Sequence, residues 1–469
     1  MNRKNKIIFI IIVLLGIFLR VYKLYDIPKG IHVDEAGMFV DANTLAFFNT
    51  DRHGISYPIY LENFGEGQSI MYAYIVMVLI KIFGSNILLI RIPSVFFGIL
   101  LIIFSYLIAK ELNHEKEGLI LMFLVAACPY FVQASRIGLD CNLLLPFLVI
   151  SLYIYIKAIK TKKTYLFLIT GISFGLCFYT YALSYIVIPL FTIISIVYLI
   201  KKKMICIKQA LIMFISMFLL AIPLIMFILV NYGIINEFKI LFFSINKISV
   251  FRAKELGIGN AIENILGIVE LLSYDFLDYN SLKYFGPIYY INIPMFIYGL
   301  IVLNKKKPLE KIIGIMFFVG YIATLLIQNI NINKANYIYF SVIYIVFLGI
   351  LNISKKNRQK FMILLIINLI FFTVYYFKNV KLDKYYFDDE LYLISKENYK
   401  KIIKNNVEIK SENNNPKIYI EMGLVDKIKS IDELNMHQNK NSICITIKEK
   451  TCENKEKYEY KRYNFYYDN

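Results

Sequence analysis

The chain has 469 residues, 58% of them hydrophobic and only 18% charged, with 52 Lys+Arg against 34 Asp+Glu for a formal net charge of +18. An ordinary soluble domain carries about 25% charge, so this balance excludes a disordered chain and argues against a soluble globular enzyme. With 11 Pro, 22 Gly and no low-complexity tract it is not fibrous either, which leaves a polytopic membrane protein whose positive charge has to be placed.

A spanning helix needs about 20 mostly apolar residues to cross about 30 Å of hydrocarbon, with about 17 as a lower limit. In chain order the runs that qualify are 7–25, 88–109, 118–134, 141–157, 164–182, 183–200, 208–231, 287–303, 311–328, 337–353 and 361–377. The expected fold class is therefore an all-α polytopic membrane protein of about 11 transmembrane helices. The run that starts at Ile7 reads as a retained first helix, because it is long and no small-x-small cleavage site follows it.

Lys and Arg accumulate on the cytoplasmic side of short loops. Clusters at Arg3, Lys4 and Lys6, at Lys157, Lys160, Lys162 and Lys163, at Lys201, Lys202, Lys203 and Lys208, at Lys305, Lys306, Lys307 and Lys311, and at Lys355, Lys356, Arg358 and Lys360 fall in every second gap. Together with 110–117, these inner segments hold 21 Lys+Arg and four Asp+Glu, so nearly all of the +18 is an orientation signal and no nucleic-acid partner is implied. The same parity places the N-terminus inside. It places outside a long first loop at 26–87, then 135–140, 232–286, 328–336 and everything after about 378. The run 69–83, SIMYAYIVMVLIKIF, reads as an interfacial or re-entrant helix, since counting it as a span would reverse every later basic cluster. A true short span is the alternative.

The expected division is a transmembrane domain over 1–377, including the 26–87 loop with juxtamembrane helices, and a small extracytoplasmic α+β domain over 378–469. That tail carries 18 Lys+Arg against 16 Asp+Glu. KIYIEM at 417–422 and ICITIKEK at 443–450 alternate like strands, whereas 389–404 and 425–435 look helical. Cys444 and Cys452 are either a disulfide in a hairpin or two lone thiols.

The first outer loop is the richest in polar groups. Asp34 and Glu35 follow His32 close to the membrane plane, and as neighbours on a helix their carboxylates point different ways. Asp34 is either a functional carboxylate or the N-cap of the helix that follows. Glu66, between Gly65 and Gly67, either lines a cleft or belongs to a turn. His32, Asp34, His53 and Glu66 are compatible with a divalent cation, but no helical HxxxH or Cys pair supports one, and no metal ligand is assigned.

The order HVDEAG, DRHG, SYPIY, GQSIMYAY, KIFGSN and RIPS, continued by YFVQASRIGLDCNLLLPF at 130–147 and GISFGLCFYTYALSYIVIPL at 171–190, resembles the GT-C membrane glycosyltransferases. Its closest likeness is to the family-39-like group that includes protein O-mannosyltransferases and aminoarabinose transferases, over about residues 1–355. The resemblance implies transfer of a hexosyl or pentosyl unit from a polyprenyl-phosphate donor to a lipid, glycan or protein acceptor at the outer face of a bacterial plasma membrane, with inversion. It implies a catalytic carboxylate in the first loop, Asp34 or secondarily Glu35. For substrate binding it points to Arg136 as a phosphate ligand, with Asp140 orienting it or serving as a second acid. Lys334 stands where relatives often carry Arg, and His32, His53 and Glu66 of the first loop are further candidate substrate-binding residues. Read from the residues alone, Arg136 is equally an interfacial side chain and Asp140 a helix cap. A flippase for lipid-linked oligosaccharides and a polysaccharide polymerase or ligase are the rival readings.

Overall fold

The computed structural model describes residues 2–63, 66–249, 257, 259–275, 277, 279–379, 386–388, 390–402, 406–410, 415–428, 442–447, 456–460 and 463–467. Among them, seven helices are long and apolar enough to cross a membrane: Ile87–Glu111, Cys141–Thr161, Ser184–Lys201, Ile207–Asn231, Pro308–Leu325, Ile332–Leu351 and Lys355–Lys378. The chain is a multi-pass membrane protein. The other four expected runs also form helices, but these do not meet the same measure. Arg3–Val21 carries three basic residues at its start and Arg20 near its end. Gly118–Ala127, Thr164–Cys177 and Tyr290–Leu303 are short. The first of these stops because Cys128 takes an extended conformation before Pro129, as residues preceding proline do, and the chain restarts as Pro129–Ala134. The run 69–83 yields Met71–Phe83, whose 13 residues extend about 20 Å and fall short of the hydrocarbon thickness.

The chain forms two compact units, one from 1–22, 94–225 and 251–380, the other from 23–93, 226–250 and 381–469.

The first unit is built around Tyr339–Leu351, a helix buried along every residue but its last. The apolar stretch of Ile332–Leu351 is 89% buried, against 22% for Lys355–Lys378. Both sequences are apolar, so burial rather than composition marks the first as the centre and the second as a lipid-facing helix. Small residues let the centre pack closely. A Cβ on Gly299 would lie 1.9 Å from Ile345 O, and one on Gly349 would lie 2.1 Å from Met295 O, so Ile293–Leu303 and Tyr339–Leu351 approach backbone to backbone. Two buried arginines close helix ends. Arg20 donates through Nη1 to Ala126 O, near the end of Gly118–Ala127, and through Nε to Ser135 Oγ. Arg136 donates to Leu19 O and Tyr22 O at the end of Arg3–Val21. The last carbonyls of a helix have no partner within it, and no lipid can supply one.

The second unit centres on Val33–Phe48, buried over nearly its whole first three turns and packed against Met71–Phe83 and Pro416–Leu424. Ile31–His32 pairs antiparallel with Phe387–Asp388, and Tyr60–Asn63 pairs with Glu66–Ser69 in a hairpin. A second hairpin joins Phe238–Ile240 to Phe243–Ile245. The tail contributes Glu390–Glu397, Tyr399–Ile402 and a mixed four-stranded sheet in the order Asn406–Lys410, Ser442–Ile447, Tyr463–Tyr467, Glu456–Tyr460.

One expectation is corrected here. KIYIEM is the core of helix Pro416–Leu424 and not a strand. Pro416 stands in its first turn, where the fixed φ suits a helix, and Ile418, Tyr419, Ile420 and Met422 are all buried, so the apparent alternation reports a helix covered on several sides. The tail shares its unit with the first loop, to which it is joined by the Ile31–Asp388 pairing and by Tyr419, whose hydroxyl donates to Ile31 O and Tyr386 O. Residues 425–427 form a turn, while 429–435 and Cys452 lie outside the described residues, as does the side chain of Cys444.

Candidate functional site

The site in the second unit is set by how Val33–Phe48 begins. His32 is the N-cap, with an extended backbone, and its Nδ1 accepts the Asp34 N–H at 3.1 Å. Glu35 reaches back so that Oε2 accepts the His32 N–H at 2.8 Å, completing a capping box. The cap is thus His32, not Asp34, and the Asp34 carboxylate is left outside the capping hydrogen bonds. Burial lowers the pKa of His32, so the imidazole is neutral at pH 7, and with Nδ1 accepting, its proton is assigned to Nε2.

The two adjacent carboxylates then meet opposite fates. Glu35 is 0% exposed and paired with Arg91, whose Nε lies 3.0 Å from Oε1 and whose Nη2 lies 3.1 Å from Oε2. Arg91 also donates to Leu24 O, Pro28 O and Gly30 O at 2.8, 3.1 and 2.6 Å, pinning the entry to the loop. Gly30 has φ +85°, and a Cβ there would stand 3.2 Å from Asp388 N, so this turn requires glycine. Both oxygens of the Glu35 carboxylate are thus engaged by the Arg91 guanidinium. Asp34 keeps 38% of its side chain exposed. Its Oδ1 accepts from Asn63 Nδ2 at 3.1 Å, and Oδ2 lies 3.7 Å from His32 Nδ1.

Behind Asp34 lies a buried polar cluster. Arg52 Nη2 donates to Asn63 Oδ1 at 2.5 Å and to Glu62 O at 3.1 Å, and lies 3.5 Å from Asp41 Oδ2. The Arg52 N–H donates to Asp41 Oδ1 at 3.1 Å. Asp51 Oδ1 accepts the His53 and Ile55 N–H groups, and its carboxyl is pushed up to about 6, first by burial and then by the charge of Asp41. Burial likewise raises Asp41. His53 is exposed, with Nε2 3.2 Å from Glu62 O, while the Glu62 carboxylate accepts from Ser249 N and Oγ. Glu66 opens the second strand of its hairpin, and its side chain lies outside the described residues. Among the described residues no three His, Cys, Asp or Glu side chains gather as a metal site would require.

In the first unit, Arg136 is wholly buried, with its guanidinium on the two helix-end carbonyls and 5.3 Å from the centre of the Phe377 ring. The guanidinium thus faces main-chain carbonyls and an aromatic ring in a buried setting. Asp140 is the N-cap of Cys141–Thr161, its Oδ1 accepting the Cys141 N–H at 2.7 Å. Lys334 is half-buried in the short helix Ile332–Ala335 and donates from Nζ to Gln328 O at 2.9 Å. Asn336 Nδ2, which donates to Cys141 O, brings the segment after Lys334 to the start of the helix that Asp140 caps.

His32, Asp34 and Glu35 are thus brought together with Asn63, Arg52, Asp41 and Arg91, which the sequence reading did not single out. Arg52 and Arg91 stand inside DRHG and RIPS, so the signal was present as motif letters without a partner to interpret them.

Residues 67–231 match the family described as dolichyl-phosphate-mannose-protein mannosyltransferase. In three dimensions the chain is similar to ArnT from Cupriavidus metallidurans bound to undecaprenyl phosphate, with a TM-score of 0.59 and 9% identity over 100% of this chain and 98% of that one. It is also similar to the archaeal oligosaccharyltransferase AglB from Archaeoglobus fulgidus in complex with an inhibitory peptide and a dolichol-phosphate, with a TM-score of 0.55 and 13% identity over 95% of this chain and 69% of that one. No protein of curated function is significantly similar in sequence. The fold is that of the GT-C membrane glycosyltransferases.

Proposed function

We propose that this membrane protein transfers a sugar from a polyprenyl-phosphate donor to an acceptor hydroxyl, with Asp34 as the base. The observation that carries the reading is the contrast within the pair. Glu35 is locked by Arg91, whereas Asp34 presents a partly exposed carboxylate from the first turn of a buried helix, on a fold shared with proteins that bind undecaprenyl phosphate and dolichol-phosphate.

In the proposed step the acceptor oxygen attacks the anomeric carbon as the bond from that carbon to the phosphate oxygen breaks. The acceptor proton passes to Asp34, and polyprenyl phosphate departs as the anion. A single displacement inverts the anomeric centre. A positioned carboxylate in such a role contributes about 10²–10⁴-fold. The leaving phosphate carries negative charge and needs a fixed cation or hydrogen-bond donor to meet it. From the basic clusters, the N-terminus is proposed to be cytoplasmic and the reaction to occur at the outer face of a bacterial plasma membrane.

The test compares cells carrying the wild-type protein, Asp34→Asn or no protein, at matched membrane levels, by mass spectrometry of envelope glycolipids, glycans and proteins. Single-sugar additions are expected with the wild type alone. The same additions with Asp34→Asn would remove the base assignment. Movement of a lipid-linked sugar across reconstituted vesicles with no new glycosidic bond would replace the reading with a flippase.

A further inference from the structure

We propose that Asn63 is a positioning residue for Asp34, and that Arg52, itself held by Asp41, dictates which way the Asn63 amide faces. The inference rests on the reading of Asp34 as a base and adds how that base is oriented.

An Asn side chain offers an acceptor at one end and donors at the other, and its orientation is decided by its neighbours. Here the neighbours leave one choice. A guanidinium has donors only, so the atom 2.5 Å from Arg52 Nη2 must be Oδ1. Nδ2 is then directed at Asp34, 3.1 Å from Oδ1. Arg52 cannot turn away, because Asp41, 0% exposed, takes its main-chain N–H at 3.1 Å and lies 3.5 Å from its Nη2, and Glu62 O takes a further bond at 3.1 Å. The polarity therefore runs in one direction, from Asp41 through Arg52 and Asn63 to Asp34.

The local fold leaves room for this contact. Asn63 ends the first strand of its hairpin, opposite Glu66. Gly37 lies one helical turn beyond Asp34 on the same face of Val33–Phe48, and a Cβ there would stand 2.6 Å from Asn63 Oδ1 and 3.1 Å from Arg52 Nη1. The helix lacks a side chain at the place where amide and guanidinium meet.

The consequence for Asp34 is chemical. With Oδ1 held by a donor the carboxylate no longer rotates freely, which leaves Oδ2 to receive a proton in a fixed direction. Among the described residues, the titratable and charged groups nearby are His32, Glu35, Arg91 and Arg52, with Asp41 and buried Glu421 both acting on Arg52. His32 is neutral, Glu35 is paired with Arg91, and Arg52 faces Asp41. Asn63 supplies a donor without adding a charge that would weaken the base.

The deciding variant is Asn63→Asp. It keeps the shape and the acceptor for Arg52 but replaces the donor facing Asp34 with an oxygen. The direct measurement needs no substrate: pH-difference infrared spectra of the full chain in lipid, with the Asp34 band identified by its loss in Asp34→Asn. In Asn63→Asp the Asp34 midpoint is expected to rise by about one pH unit or more, since a hydrogen bond to the ionised form is lost and a like charge gained. With undecaprenyl-phosphate mannose as probe donor and membrane lipid extract as acceptor, kcat is expected to fall about 10–100-fold at unchanged KM, its acid limb moving up with the midpoint. Asn63→Ala is expected to lower thermal stability as well, because Arg52 also loses a partner, whereas Asn63→Asp is not. A wild-type midpoint in Asn63→Asp would overturn the proposal, reducing Asn63 to an anchor for Arg52 while leaving the base assignment intact. Full transfer by Asp34→Asn would instead remove the base assignment, and this proposal with it.

Discussion

Arg136 in one unit and Asp34 in the other both stand at a helix terminus, and they differ in whether that terminus was already satisfied. At the end of Arg3–Val21 the carbonyls of Leu19 and Tyr22 lie in buried surroundings, and the guanidinium of Arg136 supplies their donors. At the start of Val33–Phe48, His32 and Glu35 have completed the capping box, so Asp34 is not drawn into the cap. A charged residue at a helix end is available for chemistry only when another group has met the hydrogen-bonding demand of that end. This separates two residues that the sequence makes equally attractive.

The largest effect is expected at Asp34. Asp34→Asn is expected to lose transfer by at least about 10²-fold while the protein unfolds at its normal temperature, measured by product formation and thermal unfolding in the same detergent. Next in size is the locked carboxylate. Arg91→Met leaves Glu35 buried without its partner and is expected to cost about 3–5 kcal/mol of stability. A variant that melts like the wild type would show that Glu35 is not held as the contacts indicate. A third test uses pH. The folded pKa of Asp51, about 6, lies above its ordinary value of 3.8. The folded state therefore keeps the proton longer, and stability falls as pH rises from about 3.8 to about 6, by up to about 3 kcal/mol. Asp51→Asn should flatten most of that slope in unfolding measured across pH 4–7, leaving the part due to Asp41, which burial pushes the same way. At Arg136, where two helix-end carbonyls lose their donor, Arg136→Gln should cost about 1.5–3 kcal/mol for each charged hydrogen bond lost, with transfer per folded molecule unchanged. A loss of rate without a loss of stability would return Arg136 to the donor's phosphate.

Much of the architecture was legible because a bilayer imposes its demands on contiguous sequence. Every expected apolar run contains a helix, the run 118–134 two of them, and 69–83 was recognisable as too short. KIYIEM misled because an alternating hexamer on a strand and a helix covered on several sides both read as apolar, and only the packing against Glu390–Glu397 and Val33–Phe48 tells them apart. At the candidate site, HVDEAG marks two candidate carboxylates but not what each of them contacts. The partners that divide them, Asn63 for Asp34 and Arg91 for Glu35, lie 29 and 56 residues away along the chain.

Repeated membrane crossing, and a loop dense in polar residues after the first helix, can be read from the amino-acid order alone, since hydropathy and composition are properties of consecutive residues. Which charges are occupied is a property of the folded chain. Whether Arg136, Glu35 or Asp34 is available depends on a carbonyl, a guanidinium or an amide delivered from elsewhere in the chain. In a buried setting, leaving such a group without a partner costs more than any local preference of the sequence can offset.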